Sequence, residues 1–305
     1  MSLPADLADR LTIPLIAAPM TGVSGPELVA ATCRNGVIGA FPTHNAADSE
    51  ELDDWLTRLS ALPADAAPIA PNLVVHRTNA RLTADLDLLR AHRVELVITS
   101  VGSPEPVIEP LHAFGCRVFA DVATLRHARR ALDAGADGLI LLTAGAGGQT
   151  GSANPFAFVR AVREYFDGPV VLAGGIGDGH ALLAARTLGA DLAYMGTGFI
   201  ATTESRAPQR YREAVVAATL DDVRQTDDVG GLPANLLAAW LDELHVQRVS
   251  AGDFRTERLL GGRAVWSAGH SVSGVHAVTS AAEVIERVRA EYREARDLLL
   301  ENSCG

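Results

Sequence analysis

Lysine is absent from this sequence of 305 residues, so all 26 of its basic side chains are arginines. This absence excludes any reaction that proceeds through a Schiff base on a lysine amine. Aromatic residues are also scarce, at 5% of the chain, whereas apolar residues make up 48%. This balance, rich in Ala, Gly, Leu and Val, is typical of a soluble α/β enzyme that buries a large core.

Basic charge is outnumbered by acidic charge, with 37 acidic residues against 26 basic ones and a net charge of −11. No local basic run interrupts this excess, so we expect neither a nucleic acid nor a membrane surface as a partner. No apolar run approaches the length of a membrane span. The first residues lack the basic region and apolar core of a signal peptide, which predicts a cytoplasmic protein.

Cysteine is rare, with only Cys33, Cys116 and Cys304 in the chain. Their number is odd and their spacing does not match a metal site, so we expect no bound metal and a reduced, cytoplasmic setting. We expect Cys33 and Cys116 to lie in or beside the core, and Cys304 to lie on the C-terminal tail.

What the sequence does contain is a regular alternation between residue 13 and about residue 205. Amphipathic helical stretches separate short apolar runs at steps of roughly 20 to 30 residues, the size of one βα unit. Continuous apolar strands between helices indicate a parallel sheet that is buried on both faces. The eight predicted strands are IPLIAAPM, GVIGAFP, PIAPNLVV, VELVITSVG, CRVFADV, ADGLILLTA, GPVVLAGG and ADLAYMGT.

Eight such units favour a closed (β/α)8 TIM barrel, with an open doubly wound sheet as the alternative. The alternation stops after Glu204, where APQRYREAVVAATLDD and LPANLLAAWLDELH are predicted as helices outside the eightfold pattern. A long amphipathic helix, AAEVIERVRAEYREARDLLLEN, follows. We therefore predict an α/β fold in which residues 1–204 form the barrel. Residues 205–305 would be helical additions that pack on it, as an inserted or lid region and a C-terminal helix.

Glycines follow the seventh and eighth predicted strands, in AGGIGDG and MGTG. Active sites of such barrels lie at the carboxyl ends of the strands, and many bind a ligand phosphate at these two loops. Successive glycines that enter a helix expose backbone N–H groups, which form an anion site. The pattern therefore predicts a phosphate site, although tight βα turns alone would also explain it.

The sixth predicted strand runs into LTAGAGGQTG, in which four of the residues between 145 and 151 are glycines. Glycine has no Cβ, so a flat ligand could lie against the chain there. A flexible loop or lid is the alternative interpretation. FMN would satisfy both glycine clusters, with its phosphate at strands seven and eight and its ring near strands one and six.

Several motifs of the chain resemble those of a known family. The segment VVLAGGIGDGHALLAARTLGADLAYMGTGFIATTES is similar to the signature of nitronate monooxygenases, once called 2-nitropropane dioxygenases, and of the related FMN-dependent enoyl-acyl-carrier-protein reductases. IAAPM, TDDVGGLPANLL and VWSAGHSVSGVHAV resemble other parts of the family, in the correct order. The resemblance covers nearly the whole chain and implies a (β/α)8 barrel, non-covalent FMN, and oxidation of small nitronates or nitroalkanes with O2.

The resemblance also implies which residues contact FMN, and the strand ends add others. By matching motif, the implied contacts are Pro19, Met20, Asn72, Gly174, Gly175, Gly196 and Thr197. The strand ends and the sixth loop add Ala18, Asp121, Ala146, Gly147 and Gly148 as candidate cofactor contacts.

The sequence departs from the family in the sixth loop. The family pattern runs Glu-Ala-Gly-Gly-His-x-Gly, and its His is the proposed catalytic base. Here Gly145 stands in place of the Glu and Gln149 in place of the His. A neutral imidazole accepts a proton near pH 7, whereas an amide only donates and accepts hydrogen bonds. Candidate catalytic residues are therefore Gln149 itself, with His44 or His270 as a substitute base.

Other functions stay open at this stage. An NAD(P)H-dependent flavin reductase that acts on a quinone or an enoyl thioester is favoured by the missing His, because hydride transfer needs no such base. A flavin-free phosphate-binding barrel and a non-catalytic FMN-binding protein are further alternatives. The expected partners are a small-molecule substrate and O2, with NAD(P)H under the reductase alternative. A homodimer is left open.

Overall fold

A computed structural model describes residues 3–243 and 265–302, and eight parallel strands close into a barrel at its centre. The barrel order is β1-β2-β3-β4-β5-β6-β8-β9, and β1 pairs with both β2 and β9, which closes it. The strands are β1 (Leu15–Ala17), β2 (Ile38–Pro42), β3 (Ile69–Val74), β4 (Leu96–Ser100), β5 (Arg117–Val122), β6 (Gly138–Leu142), β7 (Gly148–Gln149), β8 (Val170–Ala173), β9 (Leu192–Met195), β10 (Val223–Thr226) and β11 (Ala234–Leu237).

Helices follow the strands around the barrel, and in the described part of the chain short 3-10 helices lie at Thr43–Asn45, Leu220–Asp222 and His270–Gly274. The α-helices are α1 (Ala5–Ala8), α2 (Pro26–Arg34), α3 (Ser49–Ser60), α4 (Leu82–Ala91), α5 (Glu105–His112), α6 (Leu125–Asp133), α7 (Pro155–Arg163), α8 (Gly179–Leu188), α9 (Thr197–Ile200), α10 (Gln209–Ala217), α11 (Ala238–Glu243) and α12 (Ala281–Asn302).

The apolar runs form this barrel because both of their faces are buried. Every residue of β2, β4 and β6 is buried. Side chains alternate along each strand, so one set, including Ile38, Phe119 and Ile140, fills the barrel interior. The other set, including Leu139 and Leu141, packs against the surrounding helices. The predicted (β/α)8 barrel is therefore confirmed, with each of its eight strands inside the segment predicted for it.

Capping side chains fix where several helices begin after their strands. The Asp48 side chain accepts a hydrogen bond from Glu51 N at the start of α3, and the Asp178 side chain accepts one from Ala181 N at the start of α8. Asn154 does the same for Phe156 N at the start of α7. Each cap satisfies an N–H group that the first helical turn leaves without a partner. The connecting loops therefore keep defined lengths at the carboxyl end of the barrel.

The region after the barrel differs from the predicted set of helices, because it also forms a small antiparallel sheet. The order of this sheet is β10-β11-β7, so it joins the post-barrel segment to the loop after β6. The helix predicted over residues 232–245 is therefore wrong at its start, where the chain forms β11 before α11 begins. Its last two residues lie outside the described residues. The helices predicted around α10 and α12 are confirmed.

Cys33 and Cys116 are buried and free, as expected, whereas Cys304 lies outside the described residues. None of the helices within residues 3–243 and 265–302 is long and apolar enough to cross a membrane.

The contact between α12 and the first turn of α8 leaves no space for a side chain at Gly179. A Cβ there would overlap the backbone of Glu291 and Tyr292, and Gly179 N donates to Glu291 Oε2 over 2.9 Å. Backbone atoms cannot rotate away, so Gly179→Ala should displace α12. We expect a loss of about 1–3 kcal/mol, the usual cost of overpacking, and a melting temperature several degrees lower.

Thermal unfolding followed by circular dichroism measures this effect. Gly274→Ala is the matched control, because a Cβ at Gly274 meets no atom within 4 Å. Equal melting temperatures for the two variants would contradict the proposed packing constraint.

Candidate functional site

The carboxyl ends of the barrel strands open into a cavity of about 230 Å³. Residues at the ends of β3, β5, β8 and β9 line one side of it, among them Asn72, Asp121, Ala173 and Tyr194. The small sheet contributes Gly148, Gln149, Ala234 and Leu236, and the segment before α12 contributes Ser267, Ala268, Gly269 and Ser271. The cavity is therefore enclosed between the barrel and the chain that follows it.

Most of the residues predicted for the site meet at this cavity. All of the predicted cofactor contacts line it, and so do the candidate catalytic residues Gln149 and His44. The predicted contacts are Ala18, Pro19, Met20, Asn72, Asp121, Ala146, Gly147, Gly148, Gly174, Gly175, Gly196 and Thr197. The structure thus brings one group together, while the role of each residue stays a prediction.

His270 is the exception. Its side chain is exposed and does not line the cavity. The His270 backbone N donates to Gly145 O over 2.9 Å, and a Cβ on Gly145 would lie only 2.8 Å from His270 Nδ1. The imidazole therefore packs on the outer side of the sixth loop. This placement does not support His270 as a substitute base.

The glycine turn after β8 presents bare backbone to the cavity. Gly174 and Gly175 have positive φ values of 122° and 74°, which glycine adopts without strain. A Cβ on Gly175 would meet no atom within 4 Å, so its surroundings are open space. The N–H groups of Gly175 and Ile176 have no acceptor within the described residues. Uncommitted amides at such a turn suit an anionic group.

The glycine-rich loop after β6 is held in place by hydrogen bonds. Thr143 Oγ1 donates to Ala173 O over 2.6 Å, and Thr150 Oγ1 donates to Thr143 O over 2.9 Å. The buried Asn235 of β11 donates from Nδ2 to Ala146 O over 2.8 Å. These bonds fasten both ends of the loop and its centre. The loop is therefore held against the barrel and β11 by hydrogen bonds, and it forms one wall of the cavity.

Gln149 also lies on this wall. Its backbone pairs with Ala234 in the small sheet. Its side-chain amide makes no hydrogen bond to a described residue and remains available to a ligand. An amide in this position can orient a ligand but cannot take up a proton.

His44 lies in the 3-10 helix after β2, at the side of the cavity. Its Nε2 is 3.0 Å from Thr21 Oγ1, and its Nδ1 is buried without a partner in the described chain. Burial, helped by the positive charge of Arg81, lowers the pKa of His44 to about 4. The imidazole is therefore neutral at pH 7, but it is a weak base, far from the pKa that suits proton abstraction at that pH.

Two polar groups, the half-buried Asp121 of β5 and the buried Tyr194 of β9, also line the cavity. Within the described residues, Asp121 Oδ1 and Tyr194 OH have no hydrogen-bond partner. Burial raises the pKa of Asp121 to about 8. Burial, followed by the charge of Asp121, raises the pKa of Tyr194 well above its usual range. Both groups are therefore largely protonated at pH 7.

The structure also adds residues at or beside the cavity that the sequence analysis did not identify. Tyr194 could have been identified from the sequence, because it is the one polar aromatic residue in the apolar run of β9. Asn235 lies in the family-like PANLL segment, but its contact with the sixth loop is not local. Tyr211 of α10 lines the cavity, and its OH bonds to Ser267 N and O at 2.8 and 2.6 Å. The Tyr211 ring stacks on Trp266, with ring centroids 5.3 Å apart.

Groups of three or more His, Cys, Asp or Glu side chains that could hold a metal ion do not occur among the described residues.

Comparison with known proteins places these features in a family. A family model described as "Nitronate monooxygenase" matches residues 59–298. A "Nitronate monooxygenase" from Pseudomonas aeruginosa is 31% identical over 248 residues, which cover 66% of this chain and 70% of that protein. A 5-hydroxy-7a-methyl-1-oxo-octahydro-1H-indene-4-carboxyl-CoA dehydrogenase from Rhodococcus jostii is 30% identical over 224 residues. That match covers 73% of this chain but only 62% of the relative, so the chain spans less than two thirds of its length.

Two solved structures match over almost the whole chain. A nitroalkane oxidase from Streptomyces ansochromogenes superposes with a TM-score of 0.83 at 26% identity, covering 96% of this chain and 99% of that one. FabK from Thermotoga maritima superposes with a TM-score of 0.82 at 25% identity, covering 98% of both chains.

The raised pKa of Asp121 predicts how stability depends on pH. An unfolded Asp has a pKa near 3.9, whereas the native value is about 8. Between these values the native state binds more protons than the unfolded state. The contribution of Asp121 to stability is therefore complete below about pH 4 and declines by about 1.4 kcal/mol per pH unit until about pH 8.

Asp121→Asn cannot ionise, so its ligand-free form should lack this decline. We expect its unfolding free energy to exceed that of the wild type by a margin that grows from pH 5 to pH 8, measured by urea unfolding. Asp133→Asn, which changes an exposed carboxylate of α6, is the control and should follow the wild-type profile. Parallel profiles for Asp121→Asn and the wild type would show that Asp121 is already ionised in the native protein.

Proposed function

The chain belongs to the nitronate monooxygenase family, and from this membership we propose that it is an FMN-dependent oxidoreductase that oxidises small nitronates with O2. The observation that supports the proposal most directly is the meeting of all the predicted cofactor contacts at one cavity. When bound, FMN would supply the electron acceptor that no amino-acid side chain provides.

The cavity has the features that FMN requires. The open turn at Gly175 and the uncommitted N–H groups of Gly175 and Ile176 suit a phosphate. Gly147 and Gly148 also line the cavity, but a Cβ on Gly147 would meet the backbone of Ala268 and Gly269, so this glycine is required by the packing of the loop against that segment. The unpartnered Asp121 Oδ1 and Tyr194 OH offer hydrogen bonds to a ring with polar edges. The N–H groups of the turn, Asp121 Oδ1 and Tyr194 OH each lack a hydrogen-bond partner within the described chain.

The proton chemistry of the site favours a nitronate over a neutral nitroalkane. A nitronate has already lost its α-proton, so its oxidation needs no base. Gln149 cannot act as a base, and the pKa of His44, lowered to about 4, leaves that imidazole a poor one. The Gln149 amide would instead donate hydrogen bonds to the oxygens of the nitronate and orient it.

A second function is supported by the same absence of a base. An NAD(P)H-dependent reductase of a quinone or an enoyl thioester would transfer hydride without proton abstraction. The similarity to a carboxyl-CoA dehydrogenase and to FabK favours a thioester substrate within this alternative. Both functions use the same cofactor, and they differ in the molecule that reduces it, a nitronate or NAD(P)H, and in the molecule that reoxidises it, O2 or a quinone or enoyl thioester.

Anaerobic spectroscopy distinguishes the two functions. Purified protein, reconstituted with FMN, should absorb as an oxidised flavoprotein in the visible range. Addition of propyl-2-nitronate without O2 should bleach this absorbance, and admission of O2 should restore it. Bleaching by NADH or NADPH but not by the nitronate would establish the reductase instead. Protein that binds no FMN would overturn both.

Gln149→His tests the reason for preferring a nitronate. The wild type should turn over the nitronate at least about 100-fold more efficiently, in kcat/KM, than the neutral nitroalkane, because general base catalysis contributes about that much or more. An imidazole at position 149 should raise the nitroalkane value about tenfold or more and leave the nitronate value nearly unchanged. The gain should follow the ionisation of a histidine, with a midpoint near pH 6.5.

Gln149→Asn is the matched control, since it keeps an amide and adds no base. Rates are normalised to bound flavin, which absorbance measures. If Gln149→Asn and Gln149→His gave the same nitroalkane rate, proton abstraction would not be what limits the wild type.

A further inference from the structure

We propose that Asp121 binds the flavin as a neutral carboxylic acid, donating its proton as a hydrogen bond to an acceptor on the ring edge, with Tyr194 OH as a second donor. The proposal rests on the proposed FMN binding and assigns a specific residue and protonation state to it.

The position of the two groups follows from strand geometry. Side chains on the same face of a strand are two residues apart. Phe119 and Leu192 belong to the packed interior of the barrel. Asp121 and Tyr194, two residues further on, also point inward but line the cavity. They therefore form the floor of the cavity, directly above the packed interior of the barrel.

The lack of partners indicates that a ligand completes these groups. A buried polar atom without a hydrogen bond costs about 1–3 kcal/mol. Asp121 Oδ1 and Tyr194 OH are both in this condition, and among the described residues they do not bond to each other. Asn72, in contrast, is satisfied, because its Oδ1 accepts from Ser100 Oγ over 3.2 Å. The two unsatisfied groups face the same cavity, so one ligand edge can satisfy both.

The charges around the cavity favour the neutral acid. The strands beside β5, which are β4 and β6, carry no titratable side chain. The other titratable groups that line the cavity within the described chain are His44, Tyr194 and Tyr211. Neither His44, with a pKa of about 4, nor Tyr211, whose pKa burial raises well above its usual range, changes its charge between pH 6 and pH 9. No described arginine lines the cavity to stabilise a carboxylate.

The two donors, Asp121 and Tyr194, determine which kind of ring edge can bind beside them. A protonated carboxyl group and a phenol both offer O–H groups, so they fit an edge with carbonyl oxygens or unprotonated ring nitrogens. An ionised Asp121 would repel the same edge. Because the pKa of Asp121 is about 8 in the protein without ligand, binding should favour the protonated form and weaken at alkaline pH.

Fluorescence titration with FMN between pH 7 and pH 9 tests this coupling, because the phosphate group is already a dianion over most of this range. The wild-type Kd should rise about tenfold between pH 7 and pH 9, as expected for a group of pKa about 8 that must be protonated. Asp121→Asn keeps a donor but cannot ionise, so its Kd should stay nearly constant. Tyr194→Phe should bind more weakly at every pH and keep the wild-type slope.

Calorimetry gives a second measurement that needs no variant. At pH 8.5, in buffers of different ionisation enthalpy, FMN binding should take up about 0.8 proton per site, the ionised fraction of a group with pKa about 8. Asp121→Asn should take up almost none, and the exposed-site control Asp133→Asn should match the wild type.

The outcomes separate this inference from the proposed function. If the wild type binds no FMN at any pH, the proposed function fails and the inference with it. If FMN binds but the wild type takes up no proton, or if Asp121→Asn keeps the wild-type slope, only the role of Asp121 is overturned.

Discussion

The pairing of β1 with β9 is the constraint on which the rest of the structure depends. It closes eight parallel strands into a ring, so all of their carboxyl ends meet at one rim. Residues separated by more than 170 positions, such as Ala18 and Gly196, come into contact there, and a Cβ on Gly196 would lie 3.6 Å from the Ala18 Cβ. Without this closure, the glycine turns after β8 and β9 would be unrelated to the loop after β1.

A second constraint links one departure from the family pattern, Gly145 of the sixth loop, to the position of His270. Gly145 has a φ of 91°, and a side chain at this position would collide with the ring of His270. A glutamate at residue 145 is therefore incompatible with the present position of His270. Gly145 and His270 are best understood as one packing unit on the outer side of the loop. The inner side of the loop carries Gln149, so the loop as a whole supplies hydrogen bonds and no acid or base.

The sequence predicted the barrel well because its signals are local. Each strand is a short apolar run followed by a glycine or polar end, and each helix has its own period and cap. The small sheet could not be found in this way, because Gly148 and Gln149 pair with Ala234 and Asn235, more than 80 residues away. The orientation of His270 and the unpartnered state of Asp121 also depend on distant neighbours. Composition and spacing carry no information about either.

The scarcity of basic charge limits the ways in which the proposed anionic cofactor could be held. The chain has a net charge of −11 and no lysine, so its acidic side chains outnumber its basic ones. Backbone N–H groups at Gly175 and Ile176 can hold a phosphate without any side-chain charge. The same scarcity makes a carboxylate at the cavity floor unfavourable, because no described cation lines the cavity to balance it. A neutral Asp121 removes this conflict, since it turns the most acidic group of the cavity into a hydrogen-bond donor. Under the proposed function, the turn after β8 and the cavity floor would thus both avoid the need for a cationic side chain in the cavity.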